Sequence, residues 1–473
     1  MLFNSLTFVG FLAVVLLIYP RLAWRRQNLF LLVASYVFYG AWDWRFTFLL
    51  LTSTVVDFCV GPAIYHSRDP VRRKLLLSVS VLTNLGILGF FKYYNFFVNS
   101  LADLLSTVGF DPHFATLQIV LPVGISFYTF QTMSYTIDIY RDKMEPTANF
   151  LDFALFVSYF PQLVAGPIER ARVLLPQIAA PRRVDRTLIM TGVNLILMGY
   201  LKKVAIADTL APLVDEVFSA PGSHHSGMLL SGAYAFTLQV YGDFSGYTDI
   251  ARGVSRLLGI ELMENFNAPY FSRSITEFWR RWHISLSTWL RDYLYFSMGG
   301  NRKGAARTYL NLFLTMVLAG LWHGAAWTFV VFGALHGIYL MVERFVLRER
   351  LRQTGWPTGF LGRLGGIGSM VLTFHLFCLS LVAFRAPDLA SAWDVVRGIA
   401  LLDTPWRIAP QVIFAGAILM AWDLAQVRTR THTWLVDLPL PARSVLVQAV
   451  VLTILLAAVH NADTVVPFIY FQF

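Results

Sequence analysis

The sequence predicts an all-α protein that crosses a lipid bilayer many times. Three observations predict it: too little polar surface for water, apolar runs of spanning length along the whole chain, and positive charge gathered in short loops. Of the 473 residues, 56% are hydrophobic and 14% charged, and the mean hydropathy is +0.57. A soluble chain carries about 25% charged residues, so this one cannot face water on all sides.

Crossing about 30 Å of hydrocarbon takes roughly 20 apolar residues in a helix. Clear apolar runs cover residues 2–19, 46–65, 75–91, 310–321, 325–342, 370–384 and 445–459. Counting weaker ones gives about eleven to thirteen segments, the shortest read as re-entrant or interfacial. A bilayer leaves only helices or a closed barrel to satisfy the backbone, and the runs show no strand alternation. The first run has no basic region ahead of it and no small-x-small cleavage pattern before Arg21, so it reads as a retained segment. Cys59 and Cys378 lie inside apolar runs, which argues against a disulfide framework or a metal cluster.

The formal net charge is +10. The cations gather as Arg21, Arg25 and Arg26, then Arg68, Arg72, Arg73 and Lys74, then Arg141 and Lys143, then Arg182, Arg183 and Arg186. The turn at Trp42 to Arg45 holds a single one. This alternation follows the positive-inside rule and places the amino terminus outside and the basic loops in the cytoplasm. Topology and anionic headgroups account for the charge, so no nucleic-acid partner is expected. No linker, repeat or low-complexity tract divides the chain, and residues 1–473 read as a single membrane domain. Two polar interruptions stand out, one around 270–307 and one around "QLVAGPIERARVLLPQ", where Gly166-Pro167 breaks a helix.

Three stretches carry the candidate chemistry. In "FWRRWHISLSTWLRDYLYF", residues 278–296, helical spacing puts Arg280, His283, Ser287 and Arg291 on one face, with Trp282, Leu286, Trp289 and Tyr293 beside it. An interfacial helix explains the arginines and tryptophans but does not require the histidine. In "NLFLTMVLAGLWHGAAWTFVVFG", His323 falls in the middle of an uncharged apolar run. Ionisable groups at membrane depth are costly and mark functional sites by default, although a lone buried histidine is often simply hydrogen-bonded structure. Small residues Gly320, Gly324, Ala325 and Ala326 leave room beside it. His336 and His375 read as packing partners. In "LQVYGDFSGYTDIARG", Gly242 and Gly246 form a small-xxx-small pair, Asp249 sits three residues before Arg252, and Asp243 has no obvious local partner.

These stretches, with "LPVGISFYTFQTMSYTIDIYR", "AGPIER", "ENFNAPY", "GGNRKG" and the terminal "PFIYFQF", resemble the membrane-bound O-acyltransferase (MBOAT) family. The likeness is greatest to its bacterial branch containing the membrane subunit of alginate O-acetyltransferase, and it runs from residue 2 to residue 473. The resemblance implies about eleven membrane helices plus re-entrant segments around a central tunnel. It implies that His323 and His283 match the family's two characteristic histidines, and that the chain moves an acyl group from a thioester to a hydroxyl. The expected donor is acetyl-CoA on the cytoplasmic side of a bacterial inner membrane, with no permanently bound cofactor and no metal. Expected partners are periplasmic acetyltransferase proteins that modify a secreted polysaccharide, alginate-like or cellulose-like.

A neutral imidazole takes a proton from a hydroxyl as attack occurs, and burial keeps it neutral. Arg280, Arg281, Ser287, Arg291, Asp243 and Trp322 are the candidate donor-binding residues, with Lys202, Lys203, Arg302 and Lys303 as further cations for the phosphates of a CoA-type donor. The rival classes are a transporter or flippase, which calls for repeat halves with paired broken helices, and a non-catalytic scaffold of polysaccharide export.

Overall fold

The computed structural model describes the chain except residues 111–115, 355–358, 405–406, 462–465 and 470–473, and describes the backbone alone at 347–354, 359–361 and 363. Asp111, His113 and the last four residues of the terminal motif therefore lie outside it. Among the described residues every regular element is helical, as the absent strand alternation predicts. Among the described residues, seven segments are long and apolar enough to cross a bilayer: Trp44–His66, Pro70–Thr107, Arg186–Ser219, Trp327–Val346, Leu364–Arg385, Pro410–Thr429 and Leu440–His460. The 2–19 run forms a shorter apolar helix, Leu6–Arg21. The chain packs as two compact units, Met1–Gly192 with Val254–Met263, and Val193–Gly253 with Glu264–Phe473.

The first unit contains α1 (Leu6–Ile18), α2 (Trp24–Gly40), α3 (Thr47–His66), α4 (Pro70–Leu88), α5 (Tyr94–Thr107), α6 (Ile125–Tyr140), α7 (Phe150–Ser158), α8 (Phe160–Leu163) and α9 (Ala171–Ala179). Side-chain caps set several starts: Ser5 accepts from the Phe8 N–H, Asp69 from Val71 ahead of Pro70, and Asn149 from Leu151 and Asp152. These satisfy amides that a helix start leaves orphaned. Helices α3, α4 and α6 pack on one another, and α7 packs on α2 and α9. At Gly61 a Cβ would meet the Tyr135 ring at 2.8 Å, so glycine permits the close approach of α3 to α6. The stretch expected as a polar interruption, Gln162 to Arg170, is buried: Gln162, Glu169 and Arg170 are 2%, 1% and 6% exposed. Buried polar groups need partners, and Glu169 accepts from the Met263 N–H at 2.6 Å.

The second unit contains the end of α10 (Arg186–Tyr200), α11 (Asp208–Ser219), most of α12 (Ser226–Leu257), α13 (Ile275–Arg281), α14 (Ile284–Trp289), α15 (Ala305–His323), α16 (Trp327–Thr354), α17 (Gly359–Arg385), α18 (Leu389–Leu401), α19 (Pro410–Thr429) and α20 (Leu440–His460). α10 and α12 touch backbone to backbone, since a Cβ on Gly246 would lie 2.7 Å from the Gly199 carbonyl oxygen. That is the use expected of the small-xxx-small pair. α15 and α16 form a tight hairpin in which a Cβ on Gly320 would lie 2.2 Å from the Phe329 carbonyl, and one on Gly333 2.3 Å from the Met316 carbonyl. The apolar window of α20 is 0% buried, as befits a helix whose solvent is lipid.

Candidate active site

The segment expected as one helix is two. The chain leaves α13 at Arg281, and His283 sits between the helices with φ 43° and ψ 53°, a left-handed conformation. For a residue with a Cβ that conformation costs roughly 1–2 kcal/mol. The "ENFNAPY" stretch holds it in place. Asn267 N–H donates to the Arg281 carbonyl at 2.9 Å, Ile284 N–H to the Asn265 carbonyl at 2.9 Å, and Ser285 N–H and Oγ–H to Asn265 Oδ1 at 3.1 and 2.9 Å. The single polar face of Arg280, His283, Ser287 and Arg291 is therefore corrected: the break re-aims the histidine away from the helix face that its spacing implied.

His283 is fully buried, with its ring 4.7 Å from that of Phe244. Its Nδ1 accepts from the Leu286 N–H at 3.3 Å and so caps α14. A neutral imidazole that accepts at Nδ1 carries its proton on Nε2. Burial pushes its pKa down to about 3, because the charged form loses its water.

His323 also departs from expectation. The run in which it looked central is a helical hairpin, and His323 is the last residue of α15, followed by an extended Gly324 and the start of α16 at Trp327. The glycine contacts that close this hairpin place the imidazole 6.2 Å from His283, centroid to centroid, with the ring planes at 88°. Trp322 lies 5.8 Å from His283, and Phe332 and Phe384 lie 5.9 and 5.4 Å from His323. Two buried imidazoles thus meet at right angles inside an aromatic box.

Of the candidate donor-binding residues, Arg280, Ser287 and Arg291 line one cavity of about 830 Å³ along the α14 face that also carries Ile284 and Thr288. Neither histidine lines it, although Ile284 follows His283 directly. Sequence reading missed Arg344 and Glu343 in the lining of the same cavity; Glu343 lies 54 residues beyond the end of α14, and only packing brings them there. Arg281 instead pairs with Glu277 at 2.8 Å, one turn away on α13.

Asp243 does not reach this cavity. It accepts from Lys203 Nζ at 2.6 Å and from the Ile469 N–H at 2.7 Å, and Lys203 also pairs with Asp208 at 2.7 Å. Lys202 pairs with Asp249 at 2.8 Å, closer than Arg252 at 3.8 Å. The π-helical turn Leu201–Ala207 points both lysines inward, so two of the cations expected at the phosphates are buried in ion pairs. Arg302 and Lys303 are exposed. His336 accepts from Trp279 Nε1–H at Nδ1 and approaches Ser380 Oγ at 2.9 Å through Nε2, a packing partner with both nitrogens occupied.

Comparison with known proteins gives the family. The model of the membrane-bound O-acyltransferase family matches residues 141–384. The chain is 45% identical over 414 residues to a probable alginate O-acetylase AlgI of Pseudomonas aeruginosa, covering 86% of this chain and 76% of that one. It is 35% identical over 435 residues to a peptidoglycan O-acetyltransferase of Helicobacter pylori, covering 85% and 80%. It is 29% identical over 285 residues to a teichoic acid D-alanyltransferase of Bacillus subtilis, covering 58% and 71%. With two buried histidines facing each other in a multi-pass helical membrane protein, and relatives of this kind over most of its length, the chain belongs to the membrane-bound O-acyltransferase family and is an acyltransferase.

Proposed function

We propose that this acyltransferase moves an acetyl group from a cytoplasmic thioester, acetyl-CoA, toward O-acetylation of a secreted polysaccharide in the bacterial inner membrane, together with periplasmic acetyltransferase partners. The similarity to an alginate O-acetylase and a peptidoglycan O-acetyltransferase supports the acetyl group and the glycan class. The observation that carries the chemistry is the perpendicular pair His283 and His323.

The two imidazoles take different roles. With Nδ1 occupied by the Leu286 amide, His283 presents an Nε2–H that donates to the thioester carbonyl oxygen as it becomes an oxyanion. His323 accepts the proton of the attacking hydroxyl. The hydroxyl oxygen bonds to the acetyl carbon, the tetrahedral intermediate collapses, the carbon–sulfur bond breaks, and the proton held by His323 passes to the thiolate. Trp322 walls this centre. Arg280, Arg291 and Arg344, which converge on the cavity beside α14, hold the phosphates of the donor, and Ser287 adds a hydroxyl.

The test is turnover of radiolabelled acetyl-CoA by the purified chain in detergent. Arg280→Ala with Arg344→Ala raises KM for acetyl-CoA by about 10-fold or more and leaves kcat within a few-fold, since a hydrogen bond to a charged group contributes about 1.5–3 kcal/mol. An unchanged KM removes the cavity as the donor site. Absence of acetyl-CoA turnover in the wild type, with turnover of another acyl thioester, removes acetyl-CoA as the donor.

A further inference from the structure

Helix α3 carries an aspartate near the middle of a candidate membrane span. Asp57 is 0% exposed, and the groups around it are uncharged. Its Oδ1 lies 2.6 Å from Ser80 Oγ, and its Oδ2 accepts from Asn84 Nδ2–H at 2.9 Å. Ser80 Oγ lies 2.8 Å from Thr136 Oγ1, which donates to the Met133 carbonyl at 3.2 Å. On the other side, Asn84 Oδ1 accepts from Thr132 at 3.1 Å and from Ser53. Every polar member is at most 1% exposed.

Among the described residues no cation contacts Asp57. The helices packed on α3 carry Arg25 on α2, Arg73 on α4, Tyr135 and Asp138 on α6, and Asp152 on α7. Arg25 pairs with Asp152, and Arg73 with Asp142 and the Tyr140 carbonyl. The Tyr135 hydroxyl accepts from Thr147 N–H. Arg72 and Lys74 lie at the exposed start of α4. An ionised carboxylate without a counter-ion is the costliest occupant of such a place.

We propose that Asp57, Ser80, Thr136 and Asn84 form a proton-binding site inside the α3–α4–α6 bundle, in which Asp57 is held as a carboxylic acid at neutral pH. The hydrogens then distribute with none left over: Asp57 O–H donates to Ser80, Ser80 to Thr136, and Thr136 to the Met133 carbonyl, while Asn84 donates to the other carboxyl oxygen. Loss of the proton reverses the first two links and turns the Thr136 hydroxyl away from the Met133 carbonyl, which keeps its donor within the helix, so the site is a hydrogen-bonded wire with two directions. The contacts of 2.6 and 2.8 Å are O–H···O lengths; oxygens that share a metal ion stand further apart, so the proton rather than sodium is the cation that fits.

The test is infrared difference spectroscopy of the full chain in detergent at neutral pH, wild type against Asp57→Asn. The expected result is a protonated-carboxyl C=O band in the wild type that shifts in heavy water and is missing from Asp57→Asn. The variant is expected to melt at the wild-type temperature and keep acyl transfer, because its carboxamide donates to Ser80 as the acid does. No such band, or a steep loss of melting temperature in Asp57→Asn, overturns the proposal by showing that the negative charge itself is required. A sodium-dependent rise in wild-type melting temperature that Asp57→Asn abolishes overturns it in favour of a sodium site.

Discussion

The segment that carries His283 and the hairpin that carries His323 reach neighbouring positions by different physical means. His283 is placed by backbone: a left-handed residue between two short helices, clamped by Asn265 and Asn267 and tied at Nδ1 to the α14 amide. His323 is placed by close packing: α15 and α16 approach through Gly320 and Gly333 until any Cβ would strike a carbonyl. The first device consumes one ring nitrogen and dictates the tautomer. The second fixes where the ring sits through the backbone of the helix that carries it. Under the mechanism proposed above, the residue that donates sits on the first device and the residue that gains and loses a proton on the second.

The largest effect expected from breaking this contrast is at His323. His323→Ala and His323→Gln both lose about 10²- to 10⁴-fold in acetyl transfer, the usual worth of a general base, with insertion and melting temperature near wild type. Glutamine keeps hydrogen bonding but cannot take the proton, so wild-type turnover by His323→Gln would make the histidine structural.

His283 comes next. His283→Asn keeps a side-chain acceptor for the cap and a residue that tolerates φ near +43°, so it folds while activity falls about 10²- to 10³-fold, as for a lost oxyanion donor. His283→Ala adds instability, about 1 kcal/mol for the cap alone, visible as a lower melting temperature than His283→Asn. Equal activity in His283→Asn and the wild type would return this histidine to a purely structural role.

Gly333→Ala tests the hairpin. Its methyl would meet the Met316 carbonyl at 2.3 Å, and forced overpacking costs about 1–3 kcal/mol. The expected outcome is a lower melting temperature and a lower kcat, with the KM for donor little changed. A fully stable, fully active variant would show that the hairpin has slack and that packing does not place His323.

The smallest effect is with pH. Between its ordinary value and about 3, His283 binds a proton when unfolded but not when folded, so stability falls as pH drops through that window. Thermal melts from pH 7 to 4 are expected to show a steeper decline for the wild type than for His283→Asn. The activity profile near neutral pH then reports another group, because His283 stays neutral throughout.

The neighbouring ion pairs show how far sequence carried. Alternating loops and apolar runs marked a polytopic helical protein because hydrocarbon demands helices and that demand is written locally, residue by residue. Both histidines stood out because ionisable groups are rare in such a chain. Spacing also put Gly242 and Gly246 on one helix face, where Gly246 does meet a neighbour's backbone. It misled at Arg280 to Arg291, because one helix was assumed where Asn265, some 18 residues upstream, holds a break through long-range hydrogen bonds. It could not tell Arg280 from Arg281, which differ by one helical step, one facing a cavity and the other Glu277. Nor could it find Lys203 for Asp243, a pair 40 residues apart in the chain.

What the sequence determined by itself is therefore the class of solvent around this protein, the helical fold that follows from it, and a short set of candidate residues for the chemistry. Tertiary structure alone decided which of them meet, which nitrogen of His283 carries the proton, and which cations are already paired. The reason is physical: hydropathy and helix formation depend on a residue and its near neighbours, whereas a hydrogen-bond partner or an ion pair depends on where the rest of the chain returns.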